Sequence, residues 1–241
     1  LAEWDLLVRQ ARRARLLARI ASILDAQGSL DAVPHAAQAH LRAAALLTEA
    51  QHADLMRELA FISAALADTD IHPVLLGGSA YVAAAVLAAM GRSLSEVGLL
   101  VPAARIAEAE AALMAQGWTT LHHTPYDRAL YRRWMVGPPP MLHVRRRSVV
   151  VLRHAAQPGR IGRGLAAQTL LAAAVPLQHD QRFRTLSPVD LVLCNVTQLF
   201  CCDDPDGALQ DLSDLDLMLR RFGQSPSFWS DLSQRAGELE L

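Results

Sequence analysis

The 241 residues of this chain have the composition of an ordinary globular protein. Hydrophobic residues make up 52% and charged residues 20%, which is enough apolar material for one large domain, or for a domain with a smaller satellite. The formal net charge of -1 excludes a general electrostatic attraction to nucleic acid or to an anionic membrane. Every basic residue is arginine, which excludes a P-loop lysine, a Schiff-base lysine and a lysine general base.

The first third of the chain predicts an N-terminal helical region over residues 1–70. Apolar residues recur at helical spacing across residues 2–26, the segment QGSLDAVP interrupts the pattern, and a second helical segment runs from Pro34 to Ala67. Arginines fall opposite the apolar side of the first segment, and a solvated face is favoured there over a phosphate-binding face. These arginines are Arg9, Arg12, Arg13 and Arg19.

Residues 71–158 predict an α/β core around a small mixed sheet, which with helical flanks makes an α+β fold. The apolar run HPVLL leads through a Gly-Gly-Ser turn into a helix from about Ala80 to Met90, and EVGLLVP follows as a second strand. An amphipathic helix then ends at Gly117. WTTLHH, ALYRRWM and LHVRRRSVVVLRH predict three further strands, because they are rich in β-branched and aromatic residues.

Residues 159–241 predict a C-terminal helical region. Ser187 is a predicted N-cap, with Pro188 in the first turn of its helix and Asp190 three residues after the cap. A further helix is predicted to end at Gly223. The chain is therefore predicted to consist of helical ends around one α/β centre.

The cysteines favour a reduced, cytoplasmic protein. Cys194, Cys201 and Cys202 are odd in number and two are adjacent, which is a poor disulfide framework. Cys194 and Cys201 share one helical face, but no histidine follows at zinc-ligand spacing, so buried cysteines are favoured over a metal site. The uncharged run from Ile71 to Gly91 is interrupted by proline and glycine, so we expect no membrane span.

One segment of the α/β centre shows a family resemblance. LLGGSAYVAAAVLAAMGRSLSEVGLLVP, Leu75 to Pro102, resembles the polymerase-β-like nucleotidyltransferases, in which a glycine-serine turn is followed by a helix and by an acidic pair opening the next strand. RSVVVLRHA, LSPVDLVL and DLSDLDLML are similar to segments of one bacterial branch of these proteins. The resemblance implies transfer of a nucleoside monophosphate from an NTP to a hydroxyl on a small molecule, peptide or protein.

The resemblance also implies the position of the site. The backbone N–H groups of the turn would hold the nucleotide phosphates, so Gly77, Gly78 and Ser79, together with Arg92, are the predicted nucleotide-binding residues. Two acids at i and i+2 on the second strand, with a third acid on a neighbouring strand, would hold two Mg²⁺ ions. Those ions would activate the attacking hydroxyl and neutralise the leaving pyrophosphate.

This sequence departs from that pattern at the metal ligands. Glu96 stands at the first acidic position and is the predicted catalytic and metal-binding residue, but Gly98 and Val151 stand where the other two acids are expected. Gly77 stands where the branch it resembles often has lysine. With one carboxylate we expect at most weak, substrate-assisted binding of one Mg²⁺, and two-metal catalysis is not supported.

Other side chains are candidates for the missing chemistry. His143 and His154 flank the last strand of the core and could act as a general base, although a structural or surface role is favoured, and Asp127 lies in the loop before the fourth strand. The run Arg145–Arg147 could contact a polyanion. Strand alternation would send its middle member to the opposite face, so a sheet-surface role is favoured.

Three functions stay open from the sequence. They are a working nucleotidyltransferase, a pseudoenzyme that binds a nucleotide or a partner without catalysis, and a helical interaction protein with the α/β centre as a scaffold. The intact turn favours the first, and the loss of two acids favours the second. We expect weakened or absent catalysis, with a nucleotide as the ligand and no nucleic-acid partner.

Overall fold

The computed structural model describes residues 2–120, 137–155, 167–201 and 205–241. Within these residues seven short strands form one mixed sheet, in the order β3-β4-β5-β2-β1-β7-β6. β2 pairs antiparallel with β1 and parallel with β5, so these three strands are the centre of the sheet. The strands are β1 (Val74–Leu76), β2 (Val97–Leu100), β3 (Trp118–Thr120), β4 (Met141–His143), β5 (Val149–Arg153), β6 (Val175–Pro176) and β7 (Arg184–Thr185).

Helices precede, interrupt and follow the strands, so the predicted α+β fold with helical flanks is confirmed. In the described parts of the chain, no helix is both long enough and apolar enough to cross a membrane. The helices are α1 (Ala2–Arg13), α2 (Leu17–Ala26), α3 (His35–Ala65), α4 (Gly77–Ala83), α5 (Ile106–Ala115), α6 (Ala167–Ala173), α7 (Pro188–Cys201), α8 (Pro205–Phe222) and α9 (Phe228–Glu238).

The apolar core lies mainly around the central strands. Leu75 of β1 and Leu99 of β2 are fully buried, as expected for strands covered on both faces. A second, smaller apolar cluster joins α1, α2 and α3 and includes Leu17 and Leu41. The N-terminal helices therefore have apolar packing of their own. The boundary predicted after residue 70 falls between α3 and β1, and the one after residue 158 lies outside the described residues.

Two predicted helix ends rest on local chemistry that the structure reproduces. Ser187 Oγ accepts a hydrogen bond from the Asp190 N–H at 3.1 Å and donates one to the Asp190 carboxylate at 3.0 Å, which caps α7. The same carboxylate accepts a hydrogen bond from Arg235 Nε at 2.7 Å, which ties α9 to α7. α8 ends at Phe222, directly before the predicted stop at Gly223.

Two other predicted helices are each interrupted by a residue with a positive φ. The helix predicted over residues 2–26 is divided into α1 and α2 at Arg15, whose φ is 57°. The helix predicted from Ala80 to Met90 ends at Ala83, because Ala85 has a φ of 51°. Arginine and alanine rarely adopt this conformation, so neither break could be predicted from the residue types.

The segment LHVRRRSVVVLRH is a hairpin of β4 and β5 rather than the single strand predicted. Arg145–Arg147 lie in its turn, so the predicted alternation of their side chains is wrong. The middle arginine instead donates to both carboxylate oxygens of Glu58, at 2.8 and 3.0 Å, and lies 4.1 Å from the ring centroid of Phe61. These contacts join the hairpin to α3.

The C-terminal region adds strands that the sequence did not predict. β6 and β7 form a short antiparallel pair, and β7 pairs parallel with β1 through Val74 and Arg184. Residues after 158 therefore extend the sheet as well as forming the predicted C-terminal helices. Two-residue strands are too short to show an alternating pattern. The predicted strand ALYRRWM lies outside the described residues.

Candidate functional site

A cavity of about 440 Å³ lies between the sheet and the C-terminal helices. Its sheet side is the region where β1 ends, β2 begins and β5 runs alongside; α7 and α8 form the opposite side. The structure brings most of the predicted site residues to this cavity, whereas Ser79 and Val151 do not line it. Those that do line it are Gly77, Gly78, Arg92, Glu96 and Gly98.

The first turn of α4, which directly follows β1, forms one wall of the cavity and needs glycine at two positions for different reasons. Gly77 has a φ of 56°, the left-handed conformation that glycine adopts without strain, and a Cβ there would meet no atom within 4 Å. A Cβ on Gly78 would instead lie 2.7 Å from Arg92 Nε and 2.6 Å from Leu94 Cδ2. Gly78 therefore allows the Arg92 side chain to lie directly against the turn.

Ser79 holds the turn onto β2. Its hydroxyl donates to the Leu76 carbonyl at 2.7 Å and accepts from the Gly98 N–H at 3.3 Å. The side chain is 1% exposed. Nucleotide binding by Ser79 stays a prediction, and the hydroxyl itself is already engaged by the backbone of the two strands.

Replacing Ser79 with alanine is expected to destabilise the fold by about 1–3 kcal/mol, because a buried N–H and a buried carbonyl each lose a partner. The dissociation constant for any nucleotide should change by less than about twofold, since the hydroxyl does not line the cavity. Urea denaturation and nucleotide titration measure the two quantities. Ser230→Ala, which removes an exposed hydroxyl bonded to the Ser227 carbonyl, is the matched control. A large loss of nucleotide affinity in a folded Ser79→Ala protein would contradict this assignment.

The positions expected to carry metal-binding acids are adjacent in space. Gly98 on β2 is in register with Val151 on β5. Glu96 lies just before β2 with 39% of its side chain exposed, and its Oε1 accepts a hydrogen bond from Arg153 Nη2 at 3.3 Å. The one carboxylate present at these positions is therefore paired with a cation of the protein itself.

This donor set does not fit a resident pair of Mg²⁺ ions. In the parts of the chain that the structure describes, no group of three or more histidine, cysteine, aspartate or glutamate side chains could hold a metal ion. The Glu96 carboxylate is one ligand, and it already neutralises Arg153. Mg²⁺ needs several oxygen ligands in a near-octahedral arrangement. Weak, substrate-assisted binding of one ion stays a prediction.

Arg92 is held in place by a buried charge network between α8 and the loop before β2. It forms ion pairs with Asp214 and, at 3.2 Å, with Asp211, and its guanidinium lies 5.4 Å from the ring centroid of Tyr81. Asp214 is fully buried and also binds Arg19 at 2.8 Å. The prediction that Arg19 belongs to a solvated face is therefore wrong, because α2 packs this arginine, 2% exposed, against α8.

The helical side of the cavity contains a buried amide with an unused acceptor. Asn195 Nδ2 donates to Tyr81 Oη at 3.3 Å, whereas Asn195 Oδ1 has no hydrogen-bond partner among the described residues. Asn195 is 3% exposed. Burial raises the pKa of Tyr81 to about 12, so its hydroxyl stays neutral. An unsatisfied buried oxygen is unfavourable, and a ligand donor in the cavity would relieve it.

The remaining candidates do not add chemistry to the cavity. His143 is buried: its Nδ1 accepts from the backbone N–H groups of Arg145 and Arg146 at 3.2 and 3.1 Å, so its role in the hairpin turn is structural. Burial raises the pKa of the Cys194 thiol to about 12, which makes it unreactive. His154 follows β5 without lining the cavity, and Asp127 lies outside the described residues.

Sequence reasoning missed Arg153, Asn195 and Asp214. Arg153 follows Val151 by two residues, so strand alternation alone could have placed it on the same face. Asp214 lies in DLSDLDLML, a segment that resembles the bacterial branch, but nothing in that segment showed which acid is buried. Asn195 has no sequence signal.

Comparison with known proteins identifies the family of this chain. The family described as uncharacterised nucleotidyltransferase matches the chain over residues 1–241. The chain belongs to this family. Searches of curated proteins and of solved structures found no match. The family resemblance predicted from the turn and the strand that follows it is thus confirmed over the whole chain, and a nucleotide is the substrate class that the family suggests.

Proposed function

We propose that this nucleotidyltransferase-family protein binds a nucleoside triphosphate in the cavity beside the β1–α4 turn, and that transfer of the nucleoside monophosphate is strongly weakened or lost. The reaction class is the one the family implies, with a hydroxyl on a small molecule, peptide or protein as acceptor. Arg92, Gly77 and Gly78 form the nucleotide-binding wall. The protein is in this proposal a pseudoenzyme, or close to one.

One observation supports this proposal above the others. Gly98 and Val151 are paired across β2 and β5, and the nearby Glu96 carboxylate is bound to Arg153. Two-metal phosphoryl transfer needs carboxylates that hold two ions close together. Here a glycine and a valine stand at the paired positions, and a guanidinium interacts with the one acid present.

The test is to restore the acids. Gly98→Asp with Val151→Asp alone is expected to restore little, because Arg153 would bind the new carboxylates. Adding Arg153→Gln should raise Mg²⁺-dependent pyrophosphate release from an NTP on the order of a hundredfold over wild type. Pyrophosphate release and protein labelling from an α-phosphate-labelled NTP are the measurements. Pyrophosphate release registers transfer to water or to the protein, and labelling registers transfer to the protein alone.

The matched control carries asparagine at positions 98 and 151 together with Arg153→Gln. A Cβ at position 98 would lie 3.3 Å from Leu76 Cβ, so both variants impose the same slight crowding and differ only in charge. A wild-type protein that already transfers nucleotide at the rate of the restored variant would contradict the loss of catalysis. Equal rates in the aspartate and asparagine variants would show that carboxylates are not what limits transfer.

A further inference from the structure

We propose that Arg153 replaces the metal ions as the counter-charge for the nucleotide, so that the cavity binds the oligophosphate of an NTP without Mg²⁺, and that Glu96 competes with the phosphates for Arg153. This inference rests on the proposed nucleotide binding and adds how the phosphates would be held. It also reverses the role predicted for Glu96, which becomes a competitor of the phosphates rather than a metal ligand.

The position of the Arg153–Glu96 pair is the first argument. Arg153 is in register with Leu100, whereas Glu96 precedes the first residue of β2. About 13 Å of strand separates these two levels, so the side chains must reach toward each other along the strands to meet. Their contact at 3.3 Å therefore lies near the level of the Gly98–Val151 pair, where the metal ions of a two-metal site would be held.

An arginine side chain is chemically suited to bind phosphate in place of metal ions. A guanidinium presents its N–H groups in a planar fork that matches two oxygens of a phosphate, and it keeps its charge at any physiological pH. Gly98 has no side chain, so the space beside the guanidinium stays open to the cavity. A permanent cation that lines the same cavity as the glycine turn can thus hold an oligophosphate that an intact acidic site would hold through metal ions.

Arg153 also differs from Arg92 in the partner it would have to release. The Arg92 partner Asp214 is fully buried and shared with Arg19, so it cannot leave. Glu96 is 39% exposed and can turn into solvent when a phosphate arrives. Exposed ion pairs of this kind are weak, whereas bidentate arginine–phosphate contacts are strong. The exchange of Glu96 for phosphate is therefore favourable.

A second feature of the cavity indicates a polar ligand independently of charge. Asn195 lines the cavity, and its buried Oδ1 lacks a hydrogen-bond partner within the described part of the chain. Such an acceptor is matched by the hydroxyl or amino group of a nucleoside, not by a bare phosphate. The cavity thus has a cationic end at Arg153 and a neutral polar acceptor on α7, as a nucleotide requires.

The experiment is calorimetric titration of each NTP and of inorganic tripolyphosphate, in excess EDTA and in excess Mg²⁺ at constant ionic strength. We expect wild-type binding in EDTA to be at least as tight as in Mg²⁺. Glu96→Gln should tighten binding in EDTA by about three- to tenfold, and Arg153→Gln should weaken it at least about tenfold. If Glu96 were instead a Mg²⁺ ligand, Glu96→Gln would weaken binding in the Mg²⁺ buffer.

The exposed pair Arg105–Glu108 supplies matched controls outside the cavity. Arg105→Gln changes the net charge as Arg153→Gln does, and Glu108→Gln changes it as Glu96→Gln does. Both control variants should leave the dissociation constants within about twofold of wild type. Thermal unfolding checks that each variant is folded. If Arg153→Gln fails to fold, the comparison of Glu96→Gln with Glu108→Gln carries the test, because both glutamates are partly exposed.

The outcomes separate this inference from the proposed function. Binding that is tenfold tighter with Mg²⁺ and weakened by Glu96→Gln overturns the inference and leaves nucleotide binding intact. Variants of Glu96 and Arg153 that behave like their controls also overturn it. Absence of binding by every NTP in both buffers overturns nucleotide binding itself, and the inference falls with it.

Discussion

Replacing Asp214 with asparagine is expected to lower the free energy of unfolding by about 3–5 kcal/mol, because it leaves a buried cation without its carboxylate. Arg19 is 2% exposed, and its other hydrogen bonds go to the Ala88 and Met90 carbonyls and to Ser213 Oγ. Burial and the charge of Arg92 lower the pKa of Arg19 to about 10, so it remains charged at neutral pH. Urea denaturation of the two proteins measures the difference.

Asp216→Asn is the matched control for that experiment. Asp216 lies two residues further along the same helix, and more than half of its side chain is exposed in an ion pair with Arg220. Exposed pairs of this kind contribute about 0–1 kcal/mol, so the control should be nearly as stable as wild type. Similar losses in both variants would mean that the helix itself is sensitive to asparagine, and that the buried network is not the cause.

Replacing Gly91 with alanine is expected to destabilise the protein by about 2–5 kcal/mol, because strain and collision act together. Gly91 has a φ of 62°, and a Cβ there would lie 2.5 Å from Arg19 Cα and 2.6 Å from Arg19 N. These are backbone atoms of α2, so the overlap can be relieved only if the whole helix moves. That movement would also pull Arg19 away from Asp214.

Gly28→Ala is the matched control that separates the effect of backbone strain from the effect of steric collision. Gly28 has a φ of 63°, nearly the same as Gly91, but a Cβ there would meet no atom within 4 Å. The control should therefore be destabilised by the backbone strain alone, about 1–2 kcal/mol. Equal losses for the two variants in urea denaturation would show that α2 does not press on the loop as closely as the structure indicates.

Both predictions concern the same junction, which connects the N-terminal helices to the candidate site. Arg19 on α2 and Arg92 beside the cavity share Asp214 as a partner. A change that shifts α2 should therefore also shift a wall of the cavity. The N-terminal helices thus support the site, although they do not resemble a catalytic element by sequence.

Much of the fold could be predicted from local patterns. Helical periodicity predicted α3, and the capping residues Ser187 and Gly223 marked one end each of α7 and α8. These signals are local, because caps and periodicity act within a few residues. Predictions were wrong where a local pattern continued through an unusual backbone conformation, as at Arg15 and Ala85, or where a strand had only two residues.

The candidate site likewise has features that could be predicted from local patterns and features that could not. The glycine turn, the single acid Glu96 and the absence of acids at Gly98 and Val151 could all be read from the chain before folding, because these are residue identities within a recognisable spacing. The folded arrangement was needed to show that Arg153 binds Glu96, that Asp214 holds Arg19 and Arg92, and that Asn195 has an unused acceptor beside the cavity. Charge pairing and burial depend on which distant segments meet, up to 195 residues apart for Arg19 and Asp214, and no local pattern records that distance.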